Sequence, residues 1–356
     1  MTRSASRHPS LRIAMVAPVA QPIPPVRSGS VESVTALLVE GLVRAGHDVT
    51  LFATASSRTS AKLHATFERG YREDPDLWPW EMVELLNLAS AVERADAFDV
   101  IHYQAEYAPV SLAFSRLTRT PLLVTVHHAP SPSEVALWSR DPDASFIAVS
   151  DTQASMLAPL DVVATVHHAV DTATLVPRGE PTGDLVFLGR FTEGKGVLQA
   201  VEIAGRAGRR LVLAGAPTDY YERVIAPRVD GERVVYAGEL GPSDKAALLA
   251  RAAALLYPVQ ASEPFGLVLT EAMACGTPVA ALRRGAVAEI VDDGVTGRAF
   301  ETIDELVAGL PDVLSLDRAK VRARAVERFG PDRMVEEHVA AYRRVVGESR
   351  RAVQAI

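Results

Sequence analysis

Arg190 and Lys195 stand five residues apart in the run G-R-F-T-E-G-K-G at 189–196, a glycine-bearing turn ahead of an expected helix. A guanidinium and an ammonium on one turn can neutralise the charge that develops on a departing diphosphate, through the charge-assisted bonds that hold phosphate most strongly. The pair also reads as a solvated basic turn, and the G-x-x-x-x-G-K-[ST] order of a P-loop is absent. Further on, S-E-P-F-G-L-V-L-T-E-A-M-A-C-G-T-P-V at 262–279 holds Glu263 and Glu271 eight residues apart. Pro264 suits a first helical turn and Gly276 a helix end, so the run reads as a helix with Glu263 at its start and Glu271 about two turns inside. Eight positions advance about 800°, which puts the two carboxylates within about 80° in azimuth and about 12 Å along the axis. Both can then touch one elongated ligand. Free N–H groups near Phe265 and Gly266 would meet an anion, and the inner carboxylate would accept from paired hydroxyls. A sugar nucleotide has that layout; two solvated acids, one favoured by the helix dipole, are the plain alternative.

The first half offers weaker signals. His127 and His128 end an expected strand, where one can bond a sugar hydroxyl or both can be structural. His167 and His168 form a second pair, but adjacent strand residues face opposite ways, so neither pair suits chelation and no metal site is expected. Asp141-Pro142-Asp143 spells a D-x-D triplet of the kind some metal-dependent transferases use, far in sequence from the other charged residues. Gly29 and Ser30 lie at a strand-to-helix junction where backbone N–H groups can approach phosphate.

Positioning these residues requires alternating strands and helices. Apolar runs at 11–17, 49–53, 98–102, 122–126, 146–149 and 162–166 read as buried strands, with helices at 31–45, 81–97 and 110–117. Ser150 with Gln153 three residues on is a capping box that starts another helix. Residues 171–183, poor in apolar content, read as a link. The pattern then restarts with strands at 185–188, 211–214, 234–236, 254–257 and 277–280. Helices are expected at 197–207, 220–229, 243–252, 304–310, 318–329 and 332–346. The fold class is therefore α/β, with two doubly wound parallel sheets facing one cleft, and a ligand belongs at the strand carboxyl ends of the second sheet.

A chain of 356 residues with 48% apolar content suits two domains, and a net charge of −7 gives no overall attraction for nucleic acid or an anionic membrane. Arg322, Arg324, Arg328, Arg343 and Arg344 read either as solvated surface or as a weak peripheral contact with anionic lipid. Cys275 is the one cysteine, so no disulfide forms within the chain. The polar first ten residues lack a signal peptide's apolar core, and no run reaches the 18 or so apolar residues of a membrane span, so a cytoplasmic protein is expected.

The runs at 189–196, 262–279 and 292–297 (D-D-G-V-T-G) resemble glycosyltransferase family 4, retaining enzymes of the GT-B fold. The resemblance extends into the first half through G-S-V-E at 29–32, A-G-H-D-V-T-L-F-A at 45–53, V-T-V-H at 124–127 and A-V-S at 148–150. It implies an N-terminal acceptor-side domain at 11–171, a donor-side domain at 184–330, and a C-terminal helix at 331–356 able to pack back on the first domain. It also implies transfer of a hexosyl unit from a UDP- or GDP-linked sugar to an acceptor hydroxyl, in secondary-metabolite, glycolipid or cell-wall glycan synthesis, with no cofactor beyond the nucleotide sugar. Arg190 and Lys195 look like the diphosphate pair, Glu263 like the acid that positions the transferred sugar, and Glu271 like the acid that accepts from the ribose. Phe265 and Gly266 would present backbone N–H groups to the donor, Gly29 and Ser30 would border the diphosphate, and His127 matches the first-domain histidine near the sugar. The family resembles front-face attack, with the leaving phosphate helping to take the acceptor proton.

Two departures stand out. Ser30 replaces the second glycine of the common G-G-T-E, and His168-Ala169-Val170-Asp171 stands where N-G-V-D is common. Both bear on donor geometry or acceptor class, and a nucleotide-sugar-binding protein that has lost transfer is the alternative they raise. An epimerase or phosphorylase of the same architecture is a third reading.

Overall fold

Strand Arg12–Val16 (β1) reads R-I-A-M-V with only its first residue exposed, because helices cover both faces of the sheet it belongs to. The computed structural model describes residues 9–105, 108–141 and 144–354. From β1 the chain passes through helix Ser30–Arg44 (α1), strands Asp48–Thr54 (β2) and Lys62–Phe67 (β3), helix Trp80–Val92 (α2) and strand Val100–Tyr103 (β4). Helix Ala108–Ser115 (α3), strand Leu122–Thr125 (β5), helix Pro132–Trp138 (α4), strand Ser145–Ala148 (β6), helix Asp151–Leu157 (α5) and strand Asp161–Thr165 (β7) complete the first half. The seven strands are all parallel in the order β3-β2-β1-β4-β5-β6-β7.

The second half opens with strand Leu185–Leu188 (β8), helix Val197–Arg206 (α6), strands Leu211–Ala214 (β9) and Val234–Tyr236 (β10), helix Pro242–Arg251 (α7) and strand Ala254–Tyr257 (β11). Helix Leu267–Ala274 (α8), strand Val279–Leu282 (β12), helix Val287–Ile290 (α9) and strand Gly297–Phe300 (β13) follow. Helices Ile303–Leu314 (α10), Arg318–Phe329 (α11) and Pro331–Gln354 (α12) close the chain. These six strands are also parallel, in the order β10-β9-β8-β11-β12-β13. The protein is thus two doubly wound Rossmann-like units.

Three local outcomes differ from the sequence expectation. The edge strand β3 reads K-L-H-A-T-F and none of it is fully buried, so it carries no apolar run to betray it. The helix expected at 220–229 is a π turn, Tyr221–Ile225, followed by a 3-10 turn, Ala226–Arg228, since Pro227 has no N–H to continue the ladder. Helix α4 is held by a complete capping box between Ser131 and Glu134, which the sequence reading passed over.

Helix α12 leaves the second unit and buries Met334, Val335, Val339, Tyr342, Val345 and Val346 in one core with Ile13, Leu38, Leu51 and Val100 of the first. Its Tyr342 hydroxyl lies 2.7 Å from Nδ1 of His102 on β4. Arg322 bonds the Leu175 and Thr172 carbonyls of the link, Arg324 and Arg328 pair with Asp292, and Arg344 donates to the Val163 carbonyl of β7, so four of the C-terminal arginines serve the fold. Among the described residues no helix is long and apolar enough to cross a membrane.

Candidate active site

In the second sheet the strand order reverses between β8 and β11, and the loops leaving the carboxyl ends of these two neighbours bound a crevice. The 189–196 run is the loop after β8, and Glu263 lies in the loop after β11. Two bonds fasten the loops together: the Gln260 and Ala261 N–H groups donate to the Gly194 carbonyl at 2.9 and 3.2 Å. Gly196 (φ 75°) permits the approach, because a Cβ there would overlap the Pro258 carbonyl. As a result Lys195 Nζ lies 2.6 Å from Glu263 Oε2, although the residues are 68 apart in sequence. The Tyr257 hydroxyl, at the end of β11, donates to the same oxygen. Burial, with the neighbouring carboxylate second, holds the Tyr257 phenol well above its ordinary pKa, so it keeps its proton. Arg190 is exposed on the same loop: its carbonyl accepts from the Thr192 N–H at 3.0 Å, and its guanidinium has no hydrogen-bond or ion-pair partner among the described residues.

The two-glutamate segment departs from the sequence reading. Helix α8 begins at Leu267, not at Pro264, because Gly266 adopts a left-handed conformation at φ 85° and ψ 63° as its N-cap. Glu263 therefore sits in the loop four residues ahead of the helix, and the azimuth worked for a continuous helix does not apply. Its backbone is pinned instead: the Ala286 N–H donates to the Glu263 carbonyl at 2.8 Å, and Gly285 (φ 57°) lies so close that a Cβ would overlap the Glu263 main chain. No side chain caps α8: the Leu269 N–H donates to the Gly266 carbonyl at 2.9 Å, and the N–H groups of Leu267 and Val268, just past Phe265 and Gly266, have no partner among the described residues. Gly276 closes the helix, its N–H on the Met273 carbonyl and that of Thr277 on Ala272. Glu271, one turn inside, is 8% exposed and accepts from Lys245 of α7 at 2.5 Å.

Across the crevice, His127 follows β5, and its Nε2 lies 2.8 Å from Oε1 of Gln104, just past β4. Its ring stacks on His168 with centroids 5.2 Å apart, and His168 packs edge-on against Phe265 at 5.0 Å. Burial, then the charge of His128, pushes His127 down to about 3, and burial also holds His168 well below the usual histidine range. Both rings are neutral at physiological pH. Gln153 fixes this segment in a way the capping box did not announce. Ser150 does accept from the Gln153 N–H at 3.0 Å, but the glutamine side chain donates to the carbonyls of Val126 and His128 at 2.9 and 2.7 Å.

His128 pairs with Glu134 at 2.9 Å and His167 with Glu289 at 2.6 Å, so the two adjacent histidine pairs are spent separately. Asp141 is buried against Ser115 and Arg116 inside the first unit; Pro142 and Asp143 of the D-x-D triplet lie outside the described residues. Among the described residues no three His, Cys, Asp or Glu side chains are grouped as a metal site. Gly29 caps α1 in an extended conformation and Ser30, exposed, is the first residue of that helix, free of backbone strain. Their loop reaches the second unit: Ser28 Oγ donates to Glu239 at 2.5 Å.

Glu289 of α9 ties the units together on the other side. It accepts from the N–H groups of Asp151 and Thr152 at 2.8 and 3.1 Å, from the Thr152 hydroxyl, and from His167. These bonds at the amino end of α5 draw the carboxyl group down to about 2 against a desolvation that alone would raise it. Sequence reasoning missed Tyr257, Lys245, Gln104 and Glu289. Each is a single residue outside a recognisable run, joined to its partner only by the fold.

Residues 31–174 match the family described as Glycosyltransferase Family 4, and residues 177–328 match Glycosyl transferases group 1, between them most of the chain. The fold and these two matches define the class: a GT-B fold glycosyltransferase related to family 4 and to group 1, with one family model matching each unit. D-inositol 3-phosphate glycosyltransferases of Mycobacterium tuberculosis and Mycobacterium bovis are 32% identical over 185 residues, 46% of this chain and 38% of theirs, so the match spans well under half of those relatives. Among solved structures, AviGT4, a glycosyltransferase involved in avilamycin A biosynthesis, is 25% identical with a TM-score of 0.72 over 95% of this chain and 98% of its own. Anabaena Alr3699/HepE, solved with UDP and glucose, shares the fold at 18% identity and a TM-score of 0.67 over 93% of this chain and 98% of its own.

Proposed function

We propose that this protein transfers a hexosyl unit from a UDP- or GDP-linked sugar to an acceptor hydroxyl, with retention at the anomeric carbon. The observation that carries the reading is the cluster of Lys195, Glu263 and Tyr257 where β8 and β11 diverge, beside an unpaired Arg190 and the uncapped amino end of α8. In this reading the diphosphate lies against Arg190, Lys195 and the α8 N–H groups, which supply positive charge where the leaving oxygen becomes negative. Glu271 receives the ribose hydroxyls, and Glu263 and His127 hold hydroxyls of the sugar. Neutral His127 acts there as a hydrogen-bond partner and not as a cation. The leaving phosphate, on the attacked face, takes the acceptor proton.

The acceptor enters from the first unit. The curated relatives are named for an inositol phosphate, which makes a hydroxyl-rich cyclitol, free or phosphorylated, the first class to test. The reading places the protein in the cytoplasm, a setting with which the buried, free Cys275 is compatible. The test is nucleoside diphosphate release from UDP-glucose, UDP-N-acetylglucosamine and GDP-mannose, with and without such acceptors. Acceptor-dependent release supports transfer; donor binding without release under every acceptor class supports a binding protein instead.

A further inference from the structure

We propose that Tyr257 is a positioning residue of the donor site: its hydroxyl holds Glu263 so that Lys195 can leave that carboxylate for the terminal phosphate of the donor. The inference rests on the donor-site reading above and adds to it an exchange of counter-ions.

Two donors converge on one oxygen. Lys195 Nζ lies 2.6 Å from Glu263 Oε2, the Tyr257 hydroxyl donates to that same atom, and the two donors are 3.4 Å apart. Glu263 Oε1 has no hydrogen-bond partner among the described residues and is the oxygen left for a ligand hydroxyl. The Glu263 side chain is 7% exposed and that of Lys195 26%, so the ammonium has room to move and the carboxylate does not. A diphosphate entering beside Arg190 brings more negative charge than Glu263 carries and competes for the ammonium. Were Lys195 the sole partner of Glu263, its departure would leave a buried carboxylate unpaired, a strongly unfavourable state. Tyr257 removes that obstacle. It is 3% exposed, anchored at the end of a central strand, and its raised pKa keeps it a donor throughout. A hydroxyl without charge holds the carboxylate and does not compete for the phosphate.

Calorimetric titration of UDP, GDP, UMP and GMP onto the parent, Y257F, K195A and Y257F/K195A proteins tests the exchange. Loss of the hydroxyl leaves Lys195 bound to Glu263, so Y257F should weaken the better-bound diphosphate about tenfold, the worth of one bond to a charged group. The matching monophosphate, lacking the terminal phosphate, should change less than twofold. In the K195A background the Y257F effect should largely vanish, a coupling that a merely loosened loop does not produce. Glu263→Gln gives an independent reading that does not depend on Y257F folding: with the competing charge gone, the diphosphate should bind several-fold tighter. Equal losses for mono- and diphosphate, an undiminished Y257F effect without Lys195, or an E263Q affinity at or below the parent's would each overturn the exchange while leaving the donor site standing. A parent that binds neither UDP nor GDP overturns the donor site itself, and the exchange with it.

Discussion

Replacing Glu289 by glutamine keeps the shape of the contact between the two units and removes its charge. The carboxyl group titrates at about 2 in the folded protein against 4.5 in a free side chain. At about 1.4 kcal/mol per unit, discounted for the solvent that still reaches this partly buried group, that difference amounts to about 3 kcal/mol of stability at neutral pH. The sign follows from the lowered value: the contribution is complete above about 4.5 and is lost as pH falls toward 2. With an unfolding entropy of about 2.1 cal/mol/K per residue, the loss corresponds to roughly 4 °C in midpoint for a chain this long. Thermal unfolding of parent and E289Q at pH 7, 5, 4 and 3, followed by circular dichroism, should show a gap near that size at pH 7 that narrows below pH 4.5. A gap that stays constant with pH, or none at pH 7, would refute the assignment of this charge as the tie between the α5 amino end, His167 and α9.

Other consequences can be measured alongside. K195A should lower donor turnover 100-fold or more while leaving a folded protein, because the charge it supplies matters most where the leaving oxygen becomes negative; a loss under twofold contradicts that role. E271A should weaken nucleoside diphosphate binding about tenfold or more, since a charge-assisted acceptor is lost and Lys245 is left unpaired; unchanged affinity by calorimetry argues against the ribose contact. G285A should destabilise the protein by about 2 kcal/mol or more and impair turnover, because the left-handed backbone and the Glu263 main chain both exclude a Cβ; wild-type melting and rate would remove the case for a pinned Glu263. His127 and His338, the latter buried on α12 with Nδ1 2.8 Å from the Met334 carbonyl, are lowered by burial to about 3 and about 4 and take up protons on unfolding, so stability should fall as pH drops from about 6.5 toward 4, by up to about 3 kcal/mol for each. A melting temperature flat from pH 7 to 5 would show the rings to be solvated.

The alternation of strands and helices was legible because most strands are buried on both faces and stand out as apolar runs of four or five residues. Where burial is incomplete the signal fails, as in edge strand β3. The loop holding Arg190 and Lys195 was legible from its glycines, and its place after β8 follows from the reversal in strand order. The start of α8 was misread because Pro264 and the apolar residues after it suit a helix. Gly266 breaks in with a left-handed turn that composition alone does not distinguish from a helical glycine. What no local pattern revealed were the pairings across long stretches of chain: Lys195 with Glu263, Tyr257 beneath both, Lys245 with Glu271, and Glu289 reaching back 122 residues to His167. His168 shows the same limit from the other side. As a departure from the common N-G-V-D it raised doubt about activity, yet its ring fills the space between His127 and Phe265 and joins the two walls of the crevice.

In the proposed function an activated sugar sits where β8 and β11 part. A crystal structure with a non-hydrolysable UDP- or GDP-sugar tests this most directly: the diphosphate should lie within hydrogen-bond reach of Arg190, Lys195 and the α8 amino end, with the ribose on Glu271 and Glu263 Oε1 on a sugar hydroxyl. Nucleotide bound elsewhere, or bound there with Arg190 and Lys195 turned away from its phosphates, would contradict it.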